Sequence, residues 1–331
     1  MPSFPDLSGK PVGFDVFMAA ALYGEFGFYA NGGEAGRRGD FITSPEIGPL
    51  FAAVLANWIR AEFVRLGEPD DFTIVEAGAG PGTLARSILL AAPQWAGRYV
   101  AVETSGAQRA KHPDGVRSLA AMPSEPFRGV VIANELLDNL PFRLAVYDGG
   151  WREAMVVVAA EGMASEVLAA APAEWAWLPT AVPHGARVPV QHAAGEWVRA
   201  ASSLLTEGTV LAFDYCTATS WQLANMQWRE WLRTYRAQER GAHYLRDFGL
   251  QDITTQVCLD QLPEPTVVRP QAQFLQRWGI GELVDEGRAA WAVAAGAPNL
   301  TALRMRSRIR ESESLLDPTG LGGFLAVEWS T

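Results

Sequence analysis

The chain has 331 residues, enough to bury a full core as one large domain or as one domain with a sizeable insertion. Its 49% hydrophobic and 19% charged content is that of an ordinary globular protein. With 27 Lys and Arg against 37 Asp and Glu, a net charge of −10, it lacks the basic footprint that nucleic-acid binding requires.

The two cysteines, Cys216 and Cys258, are far apart in sequence, which argues against a disulfide framework or a zinc site, and no metal is expected. The stretch MPSFPDLSGK has neither an apolar signal core nor an Arg- and Ser-rich transit pattern. No apolar run reaches the roughly eighteen residues that a membrane span needs. A cytoplasmic protein without a membrane partner is the resulting expectation.

Val16, Phe17, Met18, Ala20, Ala21 and Leu22 predict a first helix. The following YGEFGFYANGGEAGRRGDFITSPEI, 23–47, is too glycine-rich for a helix and too aromatic for a disordered tail. It reads either as an ordinary loop leading into a helix or as a lid over a ligand crevice. Thr43 or Ser44 is a suitable N-cap for a helix from Pro45 to about Val64.

The stretch DFTIVEAGAGPGTLARSILLAA, 71–92, joins a short apolar run to glycines at Gly78, Gly80 and Gly82. Leu84, Ile88, Leu89 and Ala92 then recur at helical spacing. A buried strand, a tight turn and a helix start are predicted, with the ligand crevice of an open α/β sheet beyond the strand end. Two nucleotide ligands compete for such a turn. A dinucleotide fingerprint is GxGxxG, whereas this chain has GxGxG, with Glu76 two residues ahead of the first glycine. A carboxylate beside a pyrophosphate repels it; beside the cationic S-adenosylmethionine (SAM) it is favourable. Glu103, closing the apolar run RYVAVE, can accept both ribose hydroxyls of either ligand. Glu76 therefore tips the reading to SAM.

TSGAQRAKH, from Thr104, predicts a short helix and VRSLAAM, 116–122, a weak third strand. Val130, Val131 and Ile132 form a buried strand, with Asn134, Glu135 and Asp138 at its crevice-side end. Three polar groups there either bind something or divide into a capping Asn134 and two solvated acids. Residues 144–190 alternate at strand period and suggest a small antiparallel insertion. Ala193–Leu205 predicts a helix stopped by Glu207-Gly208, and TVLAFDY, 209–215, a strand placing Asp214 and Tyr215 on the crevice side. The aromatic-rich segment 217–248 either packs a subdomain or lines a substrate groove. A strand over 251–260, helices over Gln271–Trp278, Gly281–Ala295 and Leu300–Glu311, and a last strand at a sheet edge or hairpin, 315–329, complete the prediction.

In this order the motifs resemble the MidA-like SAM-dependent methyltransferases, a family whose mitochondrial member methylates arginine and helps assemble respiratory complex I. The matching stretches are MAAALYGEFGFY (18–29), GDFITSPEIGPLF (39–51), VEAGAGPGTLA (75–85), VETS (102–105), ANELLDNLP (133–141), FDY (213–215), the stretch 234–257 and LLDPTGLGGF (315–324). The resemblance implies a class I methyltransferase: a Rossmann-like, mostly parallel seven-stranded sheet with its last strand antiparallel. The expected division is an N-terminal helical or lid segment, 1–70, on a core of 71–331 with inserted substrate-side segments at about 142–192 and 216–250.

By the same likeness Gly78, Gly80 and Gly82, with Pro81, form the methionine-side turn, and Glu103 takes the ribose. Thr43, Ser44 and Pro45 close the pocket, Glu76 and Thr104 belong to the cofactor side, and Asn134 and Glu135 face the transferred methyl. If the acceptor is a guanidinium, Glu135 and Asp138, joined by Asp214, form an acidic clamp with Asn134 orienting it. The implied partner is a protein arginine or, alternatively, a small molecule. A SAM-binding assembly factor with little catalysis and an O-methyltransferase are the competing readings. The chain departs from the family at Ala52-Ala53 (family FGE), at Cys216 (family DYG), at Ala237-Gln238 (a histidine) and at Pro81 (an arginine).

Overall fold

The apolar runs read from the sequence assemble into one seven-stranded sheet, whose residues alternate between two cores. The computed structural model describes residues 7, 9–30, 43–159, 163–236, 239–297 and 299–331. Residues 31–42 of the glycine-rich loop and Ala237-Gln238 lie outside them.

In spatial order the sheet runs β16 (Val267–Pro270), β17 (Leu325–Ser330), β10 (Leu205–Asp214), β5 (Phe127–Asn134), β2 (Thr73–Ala77), β3 (Tyr99–Val102) and β4 (Val116–Leu119). β10, β5, β2, β3 and β4 pair in parallel, while β17 runs antiparallel to both β10 and β16. The central strands are buried on both faces, which is why they read as unbroken apolar runs.

Successive side chains on a strand point to opposite faces. Ile74, Ile132, Leu211 and Phe213 face one layer, built from α3 (Pro49–Arg65), α4 (Thr83–Ala91), α9 (Gln271–Arg277), α10 (Ile280–Ala294) and α11 (Leu300–Leu316). Val75, Val100, Val131 and Val210 face the other, where α6 (His192–Ser203) contributes Ala194, Val198 and Ala201.

A second, antiparallel sheet forms where the sequence alternates over 144–190. It contains β1 (Val12–Gly13), β6 (Arg143–Tyr147), β7 (Trp151–Val158), β8 (Ala164–Ala170) and β9 (Arg187–Val190). The first helix, α1 (Phe14–Tyr23), packs on this sheet: Phe14, Phe17 and Met18 share a core with Leu144, Val156 and Trp231. Of the described residues before 71, α1 thus packs on the inserted sheet and α3 on the central one. Smaller pairings are β11 (Cys216–Thr217) with β15 (Val257–Cys258), and β12 (Arg233–Arg236) with β13 (Glu239–Arg240) and β14 (Asp252–Thr254). The turns α5 (Gly106–Arg109), α7 (Ser220–Ala224) and α8 (Trp228–Trp231) complete the described elements used below.

Four local expectations change. The helix expected from Pro45 is split into α2 (Ser44–Ile47) and α3 by Gly48, and neither Thr43 nor Gly48 offers a side-chain cap. Instead the buried Glu311 of α11 accepts from the Leu50 backbone N–H at 2.8 Å, supplying the cap α3 lacks locally. Glu207-Gly208 lie inside β10, which begins at Leu205 through an irregularity in its pairing with β5. The strand over 251–260 is two short strands, β14 and β15. The last strand is interior, between β10 and the edge strand β16.

Candidate active site

Because β2, β3, β5 and β10 run in parallel, the polar residues that follow them gather at one end of the sheet. A cavity of about 500 Å³ lies there, within the range of small-molecule sites.

One wall is the turn from β2 into α4. Gly78, Gly80 and Gly82 have φ of 69°, 51° and 76°, the left-handed region that favours glycine. A Cβ on Gly78 would meet Leu136 Cδ1 at 3.1 Å, and one on Gly82 would meet Pro113 Cδ at 3.0 Å. The loop is pinned from three directions. Ala79 N donates to the Val102 carbonyl at 3.0 Å, and Gly80 N donates to the Glu103 carboxylate at 3.0 Å. His112 Nε2 lies 2.9 Å from the Gly80 carbonyl, with its Nδ1 2.9 Å from Ser118 Oγ.

Glu103 also accepts from Ser105 N at 2.8 Å and from the Thr104 hydroxyl at 3.3 Å. A carboxylate offers about four acceptor positions, so Glu103 keeps capacity for a hydroxyl presented from the cavity. Glu76 lines the cavity but is buried, accepting from the Tyr99 hydroxyl of the adjacent strand at 2.8 Å. Burial pushes its pKa up to about 8, with the Tyr99 bond opposing and the Glu103 charge adding. A cation bound nearby would favour its ionised form. With the apolar Leu84, Val102 and Met122 on the same cavity, the donor set suits a nucleoside with a cationic tail.

The opposite wall comes from α2 and β5. Thr43 and Pro45 line the cavity. Ser44 lies fully buried behind them, its hydroxyl donating to Gln271 Oε1 at 3.1 Å and its backbone bonded to the Glu135 carboxyl. Asn134 and Glu135 face the cavity; Asn134 Nδ2 donates to Glu135 Oε1 at 3.1 Å, and the buried Asn134 Oδ1 has no partner. Glu135 has φ of 51°, a left-handed conformation that costs a non-glycine residue about 1–3 kcal/mol and is held by its N–H bond to the Phe213 carbonyl. Strain of this kind clusters at functional sites.

Behind the partly buried Glu135 sit three buried carboxyls, those of Asp138, Asp214 and Asp252. Asp138 accepts from the Thr254 hydroxyl, while its Oδ1 has no partner. Asp252 accepts from Asn139 Nδ2 at 3.1 Å and from the Tyr29 hydroxyl at 3.2 Å. Asp214 is fully engaged by backbone: its oxygens accept from Leu137 N, Asp138 N and Tyr215 N at 2.9, 3.3 and 2.9 Å. Burial, then mutual repulsion, raises Glu135 to about 8 and Asp252 to about 7. Burial raises Asp138 to about 6 and holds Asp214 well above its ordinary value. The charge of Arg233 opposes this rise at Asp138.

Of the residues singled out in the sequence, Thr43, Pro45, Glu76, Gly78, Gly80, Pro81, Glu103, Thr104, Asn134 and Glu135 line the cavity. Ser44, Gly82, Asp138 and Asp214 stand behind it, and Asp214 caps the 136–139 turn rather than facing a ligand. His112, Asn139 and Asp252 were not anticipated. His112 lies in the turn after α5 and Asp252 opens a strand, so neither carries a local signature. Tyr23 and Tyr29, stacked with ring centres 5.5 Å apart, also line the cavity.

The family model of the S-adenosyl-L-methionine-dependent methyltransferases matches residues 54–272, more than half of the chain. The crystal structure of a Burkholderia thailandensis protein bound to S-adenosyl-homocysteine superposes with a TM-score of 0.83 at 26% identity, covering 98% of this chain and 88% of that one. Among curated proteins, "Protein arginine methyltransferase NDUFAF7 homolog, mitochondrial" of Drosophila melanogaster is 29% identical over 194 residues, 48% of this chain and 44% of that protein. The human "Protein arginine methyltransferase NDUFAF7, mitochondrial" is 43% identical over 63 residues, 19% of this chain and 14% of that protein. This chain therefore spans less than half the length of these curated relatives. The matched family, the likeness to a structure bound to S-adenosyl-homocysteine and the glycine turn agree: this chain belongs to the family of SAM-dependent methyltransferases and uses SAM as its cofactor.

Proposed function

We propose that this chain transfers a methyl group from SAM to a guanidinium nitrogen of a protein arginine. The observation that carries the acceptor is the acidic group formed by the cavity-facing Glu135 with the buried Asp138 and Asp252. It adjoins the cavity, contains the unpartnered Asp138 Oδ1, and feels the charge of Arg233 only at Asp138 among the described residues. An uncharged acceptor would leave these carboxyls costly to ionise, whereas a guanidinium matches them in charge and in N–H geometry. The names of the curated relatives point the same way. The strand order, with β17 inserted antiparallel between β10 and β16, fits the class I arrangement, and the cofactor roles suggested for Glu76, Glu103 and the glycine turn belong to the same proposal.

Bound SAM supplies an electrophilic methyl on a sulfonium and leaves as S-adenosyl-homocysteine. The chain's own part is positioning, which is where most of the rate gain of such a transfer arises. Glu135 takes two guanidinium N–H groups, Asn134 Oδ1 accepts another, and the attacking nitrogen passes its proton to Glu135. Its raised pKa suits it to hold that proton near neutral pH. Asp138 and Asp252 stabilise the cation through charge from behind.

Incubating the protein with labelled SAM and arginine-containing peptides, then locating label by mass spectrometry, tests the reading. Methylarginine supports it. Label on another side chain, or on a small molecule alone, would overturn the acceptor.

A further inference from the structure

Beside β12, the strand that pairs with the Asp252 strand β14, the molecule opens a second cleft of about 310 Å³. Trp228, Arg229, Arg233, Arg240, His243 and Tyr244 line it. Its charge is opposite to that of the neighbouring acids, in a chain whose net charge is −10.

The arginines are not consumed by ion pairs. Among the described residues, no salt bridge involves Arg229, Arg233 or Arg240. The Arg229 guanidinium stands 4.9 Å from the Trp228 ring centre, and Arg233 lies 5.5 Å from the Tyr215 ring. Arg233 bonds to the Glu230 carbonyl, a neutral acceptor. Arg187, the other cation against Trp228, is spent on Glu166 through two 2.7 Å bonds, with Tyr244 completing that knot. Burial, then the charges of Arg187 and Arg229, hold His243 below its ordinary pKa, so the local field is positive. Glu230 and Glu239 are both exposed, Glu239 lying opposite Arg236 in the β12–β13 pairing.

Tyr235 of β12 pairs with Asp252 on one side and with Arg240 on the other, so one short sheet joins the acidic group to the second cleft. A polypeptide whose arginine enters the acidic group is thereby brought to the sheet that carries Arg233 and Arg240. We infer that this cleft is a recognition subsite for carboxylate side chains flanking the target arginine, selecting substrates with acidic neighbours. This rests on the proposed arginine acceptor. Planar guanidinium groups beside an aromatic floor suit Asp or Glu, which they can grip with two parallel hydrogen bonds. The same field disfavours the basic tracts in which many arginines lie.

The test uses the full chain with S-adenosyl-homocysteine and fluorescein-labelled 15-residue peptides. Each carries one central arginine flanked by either three Glu or three Gln. By anisotropy in 50 mM salt, the Glu peptides should bind about five-fold tighter than the Gln peptides, the gap closing at 500 mM salt as screening takes over. In the R229A/R240A double variant the gap should vanish, while the thermal shift produced by S-adenosyl-homocysteine shows that the variant is folded. Equal binding of the two peptides by the wild type, or a gap that survives in the variant, overturns the subsite. Methyl transfer to the same peptides is read separately: none to any peptide would sink the arginine acceptor, while the binding comparison still decides the cleft.

Discussion

Glu135 is held in a conformation and a protonation state that the fold alone would not select, so its neutral isostere should separate stability from activity. Its pKa stands at about 8 against an ordinary 4.5, chiefly through burial. A carboxyl harder to ionise in the folded chain than in the unfolded one favours folding at low pH. That contribution is lost as the pH rises from the unfolded value through the folded one. The charge-related cost works out at about 3 kcal/mol at pH 7 and under about 1 kcal/mol at pH 5. Glu135→Gln removes it but retains only one carbonyl oxygen for the Asn134 and Ser44 bonds, a loss of about 1 kcal/mol. The variant should therefore gain about 2 kcal/mol at pH 7 and nothing at pH 5. For a chain of this size that is a rise in Tm of about 3 °C. Methyl transfer to an arginine peptide should fall by about 100-fold or more, as for a buried cation that loses a charged partner. Binding of S-adenosyl-homocysteine should stay within a few-fold. Melts of the ligand-free protein at pH 5 and pH 8, with calorimetry and steady-state kinetics, read all three. A Tm change that is equal at both pH values, or negative at pH 8, would refute the electrostatic reasoning; unchanged turnover would reject Glu135 as the acceptor's partner.

Three further perturbations test other parts of the site and scaffold. Glu103→Ala removes the acceptor of Gly80 N and Ser105 N, so S-adenosyl-homocysteine affinity by calorimetry should drop about 10- to 100-fold, a loss of about two charge-assisted hydrogen bonds. Tyr99→Phe deletes the bond that lowers the Glu76 pKa, moving it further above about 8. SAM affinity at pH 7 should then fall several-fold and recover towards pH 9, and a pH profile matching the wild type would rule out Glu76 as the donor's counter-charge. Glu311→Ala uncaps α3 and should cost about 1–2 kcal/mol in thermal melts, with Glu311→Gln recovering much of it because its carbonyl still accepts from Leu50 N.

How far the sequence reveals this arrangement depends on how local the controlling interactions are. The β2–α4 turn is legible because a short apolar run gives way to a 3.6-residue period across a glycine cluster within about twenty residues. The candidate residues at Gly78–Pro81, Glu103, Asn134 and Glu135 meet because parallel strands bring their ends together, a consequence of topology that alternation of strands and helices already implies. The α3 cap is different. Glu311 stands 261 residues from Leu50, and nothing in the stretch around Gly48 announces it, so Thr43 and Ser44 look like caps and are not. The edge strand β16 is four residues long and ends in proline, too short for a period, and without it the last strand appears to be an edge. Asp252 reaches the site through Asn139 and Tyr29, from elements more than 100 residues apart.

These non-local residues also explain why the acidic group tolerates its own repulsion. Tyr29, Asn139 and Thr254 each donate to a carboxyl whose charge burial opposes, lowering the cost of ionisation without supplying a counter-ion. A lysine in their place would neutralise the group and stabilise the fold, but it would also occupy the position the proposed guanidinium acceptor needs. The donors are neutral, and the nearby cation, Arg233, stacks by Tyr215 at the boundary with the second cleft. The site is therefore less stable empty than a charge-balanced core would be, and that deficit is available as differential affinity for a cation. A protein that merely carried SAM without using it would have no physical reason to maintain such a deficit beside the cofactor.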